Sequence, residues 1–339
     1  MHNKIYEKTK NFIKDISIIL PFSFLLLAIT LYPLPFYIYS GGGTIDVDDK
    51  IEIANSYKSK GSFNLCYVSE IKATIPTYLL AKILPSWDIT PKEDVTLNNK
   101  ETDTDVTKRD KIFLNDANVN AISVSYTKAN KKIEITDTYN YIIYIDENSK
   151  TDLQVGDIIT KLDNTNIGDL SDIRNIVSNH NVGDVLNIEY IRNNKKHSGT
   201  CEVIEKENVK QIGIGVQASY KYKTDPKIAL KFSDNESGPS GGLLLALSIY
   251  NNLVEEDITN GLKIAGTGTI DLNGNVGSIG GVKYKLKGAV NSKADVFIVP
   301  NGENYNEAIK LQKSNNYKIK IIGVSTFDEA LKKLQEMSK

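Results

Sequence analysis

The sequence predicts an α+β protein in which mixed sheets and helices follow a single N-terminal transmembrane helix. Three observations carry that expectation. An uncharged apolar run, ISIILPFSFLLLAITLYPLPFYIY, extends from Ile16 to Tyr39. Strand-like alternation recurs in SFNLCYVSEI, in YIIYI and in VLNIEYIRNNKKHSGTCEV. Finally, the last third places glycine-rich turns directly ahead of helical runs. At 339 residues the chain has room for two or three domains.

The apolar run is 24 residues long, and about 20 suffice to cross a bilayer. Lys4, Lys8, Lys10 and Lys14 precede it, while Asp46, Asp48 and Asp49 follow. The positive-inside bias therefore predicts that residues 1–15 are cytoplasmic, that 16–39 span the cell membrane and that the remainder lies outside. A cleaved signal peptide is the competing reading, but its apolar region is usually about 7–15 residues. Tyr32, Tyr37 and Tyr39 suit an interfacial belt, Pro33 and Pro35 end the helix, and SGGGT from Ser40 reads as a flexible joint.

Composition narrows the chemistry. Lys plus Arg number 41 and Asp plus Glu 42, a net charge of −1 that provides no basic field for nucleic acid. Cys66 and Cys201 lack the paired spacing of a zinc site and are too few for a disulfide scaffold; one bridge between them is conceivable but nothing supports it. His2, His180 and His197 are isolated from one another, so no metal and no cofactor is expected.

Residues 40–128 read as a β-rich segment, with a strand over 62–71, a short helix in KATIPTYLLAKILPSW ending near Pro85, and a solvated polar run after Trp87. From 129 to 205 the order becomes strand, loop, strand, helix, hairpin. LQVGDIITKLDNTNI and VGDVLNIEYIRNNKKHSGTCEV resemble the PDZ domain. That resemblance implies peptide capture by addition of a strand to a sheet edge, with the groove expected between YIIYI, residues 141–145, and the helix near Asp172–Ser178. A ligand-free β-rich spacer is the alternative.

In DNESGPSGGLLLALSIYNN, Ser240 stands between Gly238–Pro239 and Gly241–Gly242 at the start of an apolar helix. Taken alone, a serine there is a helix cap. The same position also faces unpaired backbone N–H groups and the positive end of the helix dipole, a setting that suits an oxyanion. A second segment, GTGTIDLNGNVGSIGGVKYKLKGAV, supplies Thr267 and Lys285, the lysine lying 45 residues after Ser240. Together the two segments resemble the proteolytic domain of Lon-type proteases over about residues 206–339. The resemblance implies a Ser240–Lys285 dyad, with Thr267 supporting the lysine and the backbone of Gly238, Pro239 and Gly241 forming the oxyanion site. Lys283 and Lys287 read as solvated neighbours. A serine hydroxyl needs a base, and a lysine near 10.4 must be lowered to about 7–8 to be one.

Two positions depart from the family pattern. Ser237, with Glu236 beside it, stands where an acid is frequent, and Gly241 stands where alanine is usual, which should loosen the turn. No Gly-x-x-x-x-Gly-Lys-Ser/Thr loop occurs, so the sequence carries no ATPase motor. The whole resembles the membrane-anchored, PDZ-containing Lon-like proteases of Gram-positive bacteria. This implies an ATP-independent serine endopeptidase acting on peptides or proteins outside the cell membrane, with hexameric assembly. A non-catalytic membrane adaptor is the alternative. Because residues 60–71 look like the first strand of the Lon fold, the PDZ domain is expected to be inserted within the protease domain.

Overall fold

The computed structural model describes residues 2–338. In chain order the first half comprises α1 (His2–Leu31), β1 (Pro33–Asp46), β2 (Ile51–Ile53), β3 (Ser62–Thr74), α2 (Ile75–Ile83), β4 (Asp88–Pro91), α3 (Asp103–Lys128), β5 (Lys132–Ile145), β6 (Ile158–Leu162), β7 (Thr165–Asn166) and α4 (Leu170–Ser178). There follow β8 (Val185–Arg192), β9 (Lys195–Glu202), β10 (Ile204–Lys206), β11 (Val209–Gln211), β12 (Ile214–Asp225), β13 (Ile228–Leu230), α5 (Gly242–Leu253), β14 (Lys263–Gly266), β15 (Thr269–Ile270) and β16 (Val276–Gly277). The chain closes with α6 (Val282–Asn291), β17 (Val296–Pro300), α7 (Glu303–Asn315), β18 (Lys320–Val324) and α8 (Phe327–Gln335). These elements form two compact units, Met1–Gly41 with Ser69–Val95, and Gly42–Val68 with Thr96–Lys339.

The first unit overturns the membrane-spanning expectation and the cell-membrane location built on it. Among the described residues no helix is long and apolar enough to cross a membrane. The reason lies in where the apolar run changes conformation. Helix α1 stops at Leu31, so its apolar part from Ile16 is about 24 Å long at 1.5 Å per residue, short of a hydrocarbon core of about 30 Å. Pro33 to Tyr39 instead enter β1, which pairs antiparallel with β4 from Phe36↔Pro91 to Tyr39↔Asp88. Ile38 is fully buried there with Ala73 and Ala81, and Phe36, Tyr78 and Trp87 pack around them. Alternating side chains of a strand supply that cluster, which a continuous helix would not. Helix α2 starts at a reciprocal Thr74–Thr77 cap and ends, as expected, before Pro85.

The second unit holds two large sheets and, among the described residues, three two-stranded ones. In one large sheet, β18, β17, β14 and β3 run parallel, with Gly266 of β14 opposite both Ile298 and Leu65. Alternation sorts their side chains: Phe63, Ile264, Val296 and Ile298 join the apolar residues of α5 and α8, while Cys66, Ala265, Phe297 and Val299 join α6 and α7. The sheet is thus sandwiched between helices. The predicted strand at 62–71 is β3, and its first four residues pair with β14. The expected β-rich character of 40–128 fails at α3, a 26-residue helix. Its asparagines and β-branched residues have mediocre helix propensity, so packing against α5 decides its conformation. The SGGGT joint is also corrected. Gly42 and Gly43 are part of β1, and a Cβ on Gly42 would fall 2.2 Å from the Tyr67 carbonyl oxygen; close backbone approach is what these glycines permit.

The other sheet is antiparallel in the order β12-β5-β6-β8-β9, closed by α4 over a core of Ile142, Ile159, Leu162, Ile173, Val177, Leu186 and Ile188. Its arrangement moves the expected groove. Asn140 and Tyr141 of β5 meet β12 on one side and β6 on the other, and Ile142 exchanges backbone hydrogen bonds with Gly156 and Asp157, so the start of YIIYI is paired on both sides. The edge strands are β12 and β9. Cys201 is buried in this core, Cys66 in the other, and both are free thiols.

Candidate active site

Ser240 sits at the carboxyl end of the parallel sheet, where α/β folds leave a crevice. Strand β14 ends at Gly266, and the chain then turns through Thr267 and Gly268 against the start of α5. Three hydrogen bonds fix this junction. The Ser240 carbonyl accepts from the Gly268 N–H (2.8 Å) and from the Thr267 hydroxyl (2.9 Å), while Leu243 N–H donates to the Gly268 carbonyl (3.0 Å). Gly268 has φ +157°, and a Cβ there would press on Leu243 and Val276.

The cap question resolves in favour of Gly241. Helix α5 begins at Gly242, its N-cap is Gly241, and no side chain caps it, so the Ser240 hydroxyl is not engaged in holding the helix. Gly241 also fits a specific neighbour: a Cβ at 241 would lie 2.4 Å from Leu65 Cδ1. The missing methyl makes room for Leu65, so the position is filled and not loosened.

The three predicted oxyanion positions are not equivalent. Gly238 donates its N–H to the Asp110 carbonyl on α3 at 3.0 Å, and Pro239 has no N–H to give. Among the described residues the N–H groups of Ser240 and Gly241 have no protein acceptor. Glu236 is turned away from this task by an ion pair with Lys50 at 2.8 Å and hydrogen bonds from Ser233.

Lys285 belongs to α6, which starts from Gly281 in the left-handed region at φ +71°. Only 4% of Lys285 is exposed. Its neighbours Val282 and Leu286 pack in the same cluster as Cys66. Among the described residues its ammonium has no carboxylate and no hydrogen bond, and burial lowers its pKa to about 8. The thiolate of Cys66 would oppose that shift, but burial pushes the Cys66 thiol up to about 12, so at neutral pH the neighbour is uncharged. Lys283 lies over the Tyr284 ring at 4.8 Å and Lys287 is exposed.

Thr267 occupies a different place from the one expected. It is fully buried, and its hydroxyl serves the Ser240 carbonyl in place of the lysine. Helices α5 and α6, which follow Ser240 and carry Lys285, pack on opposite faces of the sheet, and among the described residues no hydrogen bond joins the two side chains. Sequence reasoning missed Cys66, Leu65 and Asp110. Only Cys66 carried a signal, since the strand period places it on the face opposite Leu65.

Comparison with known families matches two consecutive regions of the chain. Residues 204–336 match the Lon protease (S16) C-terminal proteolytic domain, and residues 121–203 match the PDZ domain. The chain therefore combines a region similar to the Lon proteolytic domain with a region similar to the PDZ domain in a mixed α+β fold. Among curated proteins it is similar to Lon protease 2 of Bacillus subtilis, 40% identical over 94 residues, which is 28% of this chain and 16% of that protein. It is also similar to the Lon protease of Chlamydia pneumoniae, 34% identical over 99 residues, 29% of this chain and 12% of that one. The chain thus spans well under a fifth of the length of these relatives. Among solved structures, the PDZ domain of the SdrC-like protein from Listeria monocytogenes matches at 20% identity and a TM-score of 0.22, over 24% of this chain and 92% of that one.

Proposed function

We propose that this protein is an ATP-independent serine endopeptidase in which Ser240 is the nucleophile and Lys285 the general base. The observation that carries the reading is a lysine 4% exposed, without a counter-ion among the described residues, its pKa lowered to about 8. A structural lysine so deeply buried would be paired; a base must be able to lose its proton near neutral pH. Neutral Lys285 removes the Ser240 proton as the hydroxyl attacks the scissile carbonyl. The N–H groups of Ser240 and Gly241 receive the oxyanion. Lys285 then protonates the leaving amine, and water releases the acyl group. Thr267 and Gly268 hold the Ser240 backbone while this happens.

The PDZ half supplies substrate capture in this reading. An extended peptide adds to the free edge of β12 near Ile214 and Val216, with Ile176 of α4 across the groove; all three are half-buried and lean on the PDZ core. The pairing of β3 with β14 supports insertion of the PDZ domain within the protease domain. Assembly into a ring of six is what the family resemblance implies. The test is labelling by a fluorophosphonate probe, with Ser240→Ala and Lys285→Ala as controls. Labelling of the wild type alone supports the dyad. Absence of both labelling and casein cleavage by the wild type would favour a scaffold.

A further inference from the structure

Asp116 lies on α3 beside the nucleophile turn and is half-buried. Asn120 Nδ2 donates to its Oδ2 at 3.1 Å, and the side chain of Gln217 on β12 lies against the same carboxyl, while the neighbouring Asn115 Nδ2 donates to Ser219 Oγ of β12 at 3.0 Å. The Asn120 amide group also donates to the Ile270 carbonyl at 3.2 Å. Ile270 in turn abuts the first residue of α5, for a Cβ on Gly242 would fall 2.9 Å from Ile270 Cγ2 and 3.6 Å from Ala117 Cβ. Helix α3 holds the same turn at its other end, through the Asp110 carbonyl and Gly238 N–H. A continuous set of contacts therefore runs from the edge strand β12 through Asp116 and Asn120 to the residues that seat Ser240.

We propose that Asp116 is a positioning residue that joins β12 to the Ser240 turn, holding Asn120 so that Ile270 supports the start of α5. This rests on the Ser240–Lys285 reading. The carboxyl holds the Asn120 amide, and its place beside β12 links the peptide-docking edge, through Asn120 and the Ile270 carbonyl, to the side chain that packs against the start of α5. The titratable group facing it is Tyr222 on β12; among the described residues no cation pairs with it, and burial raises its pKa above the usual carboxylate range. Protonation converts one of its oxygens into a donor, which then confronts an amide N–H and breaks the bridge.

The experiment follows the rate of fluorophosphonate labelling at Ser240 from pH 4 to 9 in wild type, Asp116→Asn and Asn120→Ala, with far-UV circular dichroism and melting as folding checks. In wild type the logarithm of the rate falls with slope one below about pH 8 and steepens where Asp116 protonates. Both variants should label roughly tenfold more slowly at pH 8 and keep slope one throughout, since neither has an intact bridge to lose. Should Asp116→Asn fail to fold, Asn120→Ala carries the test, because it leaves the carboxyl in place. Variants that label within twofold of wild type and still steepen at low pH would overturn the role of Asp116. A wild type that does not label at all would instead remove the dyad reading, and this proposal with it.

Discussion

Arg109 and Lys285 are both cations on helices, 6% and 4% exposed, yet the protein treats them in opposite ways. Arg109 on α3 forms an ion pair with Glu101, a carboxylate that also accepts the Leu97 N–H at 2.6 Å. Lys285 has no such partner among the described residues, and its pKa is lowered to about 8 by burial. A buried charge costs several kcal/mol unless it is paired. Where the cation has only to hold α3 in place, the cost is offset by pairing; at Lys285 it is left standing, and burial lowers the lysine's pKa toward neutrality. The difference teaches how to separate structural from chemical cations at equal burial.

The largest effect expected from breaking this contrast is on turnover. Lys285→Met should lower peptide cleavage and probe labelling by about 10³-fold or more, as for loss of a base that activates a serine, with Arg109→Lys far milder. Next in size, Glu101→Gln should cost about 3 kcal/mol of stability in urea unfolding by leaving Arg109 imperfectly paired. The Glu101→Met, Arg109→Met double variant should recover most of that.

Lys285→Met should behave oppositely and stabilise the protein by about 2–3 kcal/mol at pH 7. The sign follows from proton linkage: with the folded pKa near 8 and an unfolded value near 10.4, the unfolded chain binds more protons between the two. Wild-type stability therefore rises with pH through that window, and the advantage of the methionine variant should vanish above it. The smallest effect concerns the turn itself. Gly241→Ala should slow labelling a few-fold by displacing Leu65, whose Cδ1 would lie 2.4 Å from the new methyl, and Leu65→Ala should restore the rate.

Much of the site was legible because its parts are local. A Gly-Pro-Ser-Gly-Gly turn and a lysine 45 residues later each occupy a short motif, and the helices α5 and α6 that present them follow from apolar periodicity. What escaped depends on pairing between distant segments. Pro33–Tyr39 is as apolar as the helix before it, and its strand partners β3 and β4 make it a strand. Strand β12 lies some 70 residues beyond β5 and takes the edge that YIIYI was expected to offer. Thr267 stands out by its motif, yet which neighbour its hydroxyl serves depends on the close approach of Ser240. Gly241 had no visible reason to be glycine until Leu65 was found against it.

The central claim is that an unpaired, buried Lys285 activates Ser240, and the pH dependence of Ser240 acylation tests it most directly. With a fluorophosphonate probe in saturating excess, the wild-type rate should climb tenfold per pH unit and level off near pH 8, as Lys285 loses its proton. Lys285→Ala should abolish the climb together with nearly all of the rate. A wild-type rate that is flat between pH 6 and 9, or a Lys285→Ala variant that labels as fast as wild type, would contradict the account.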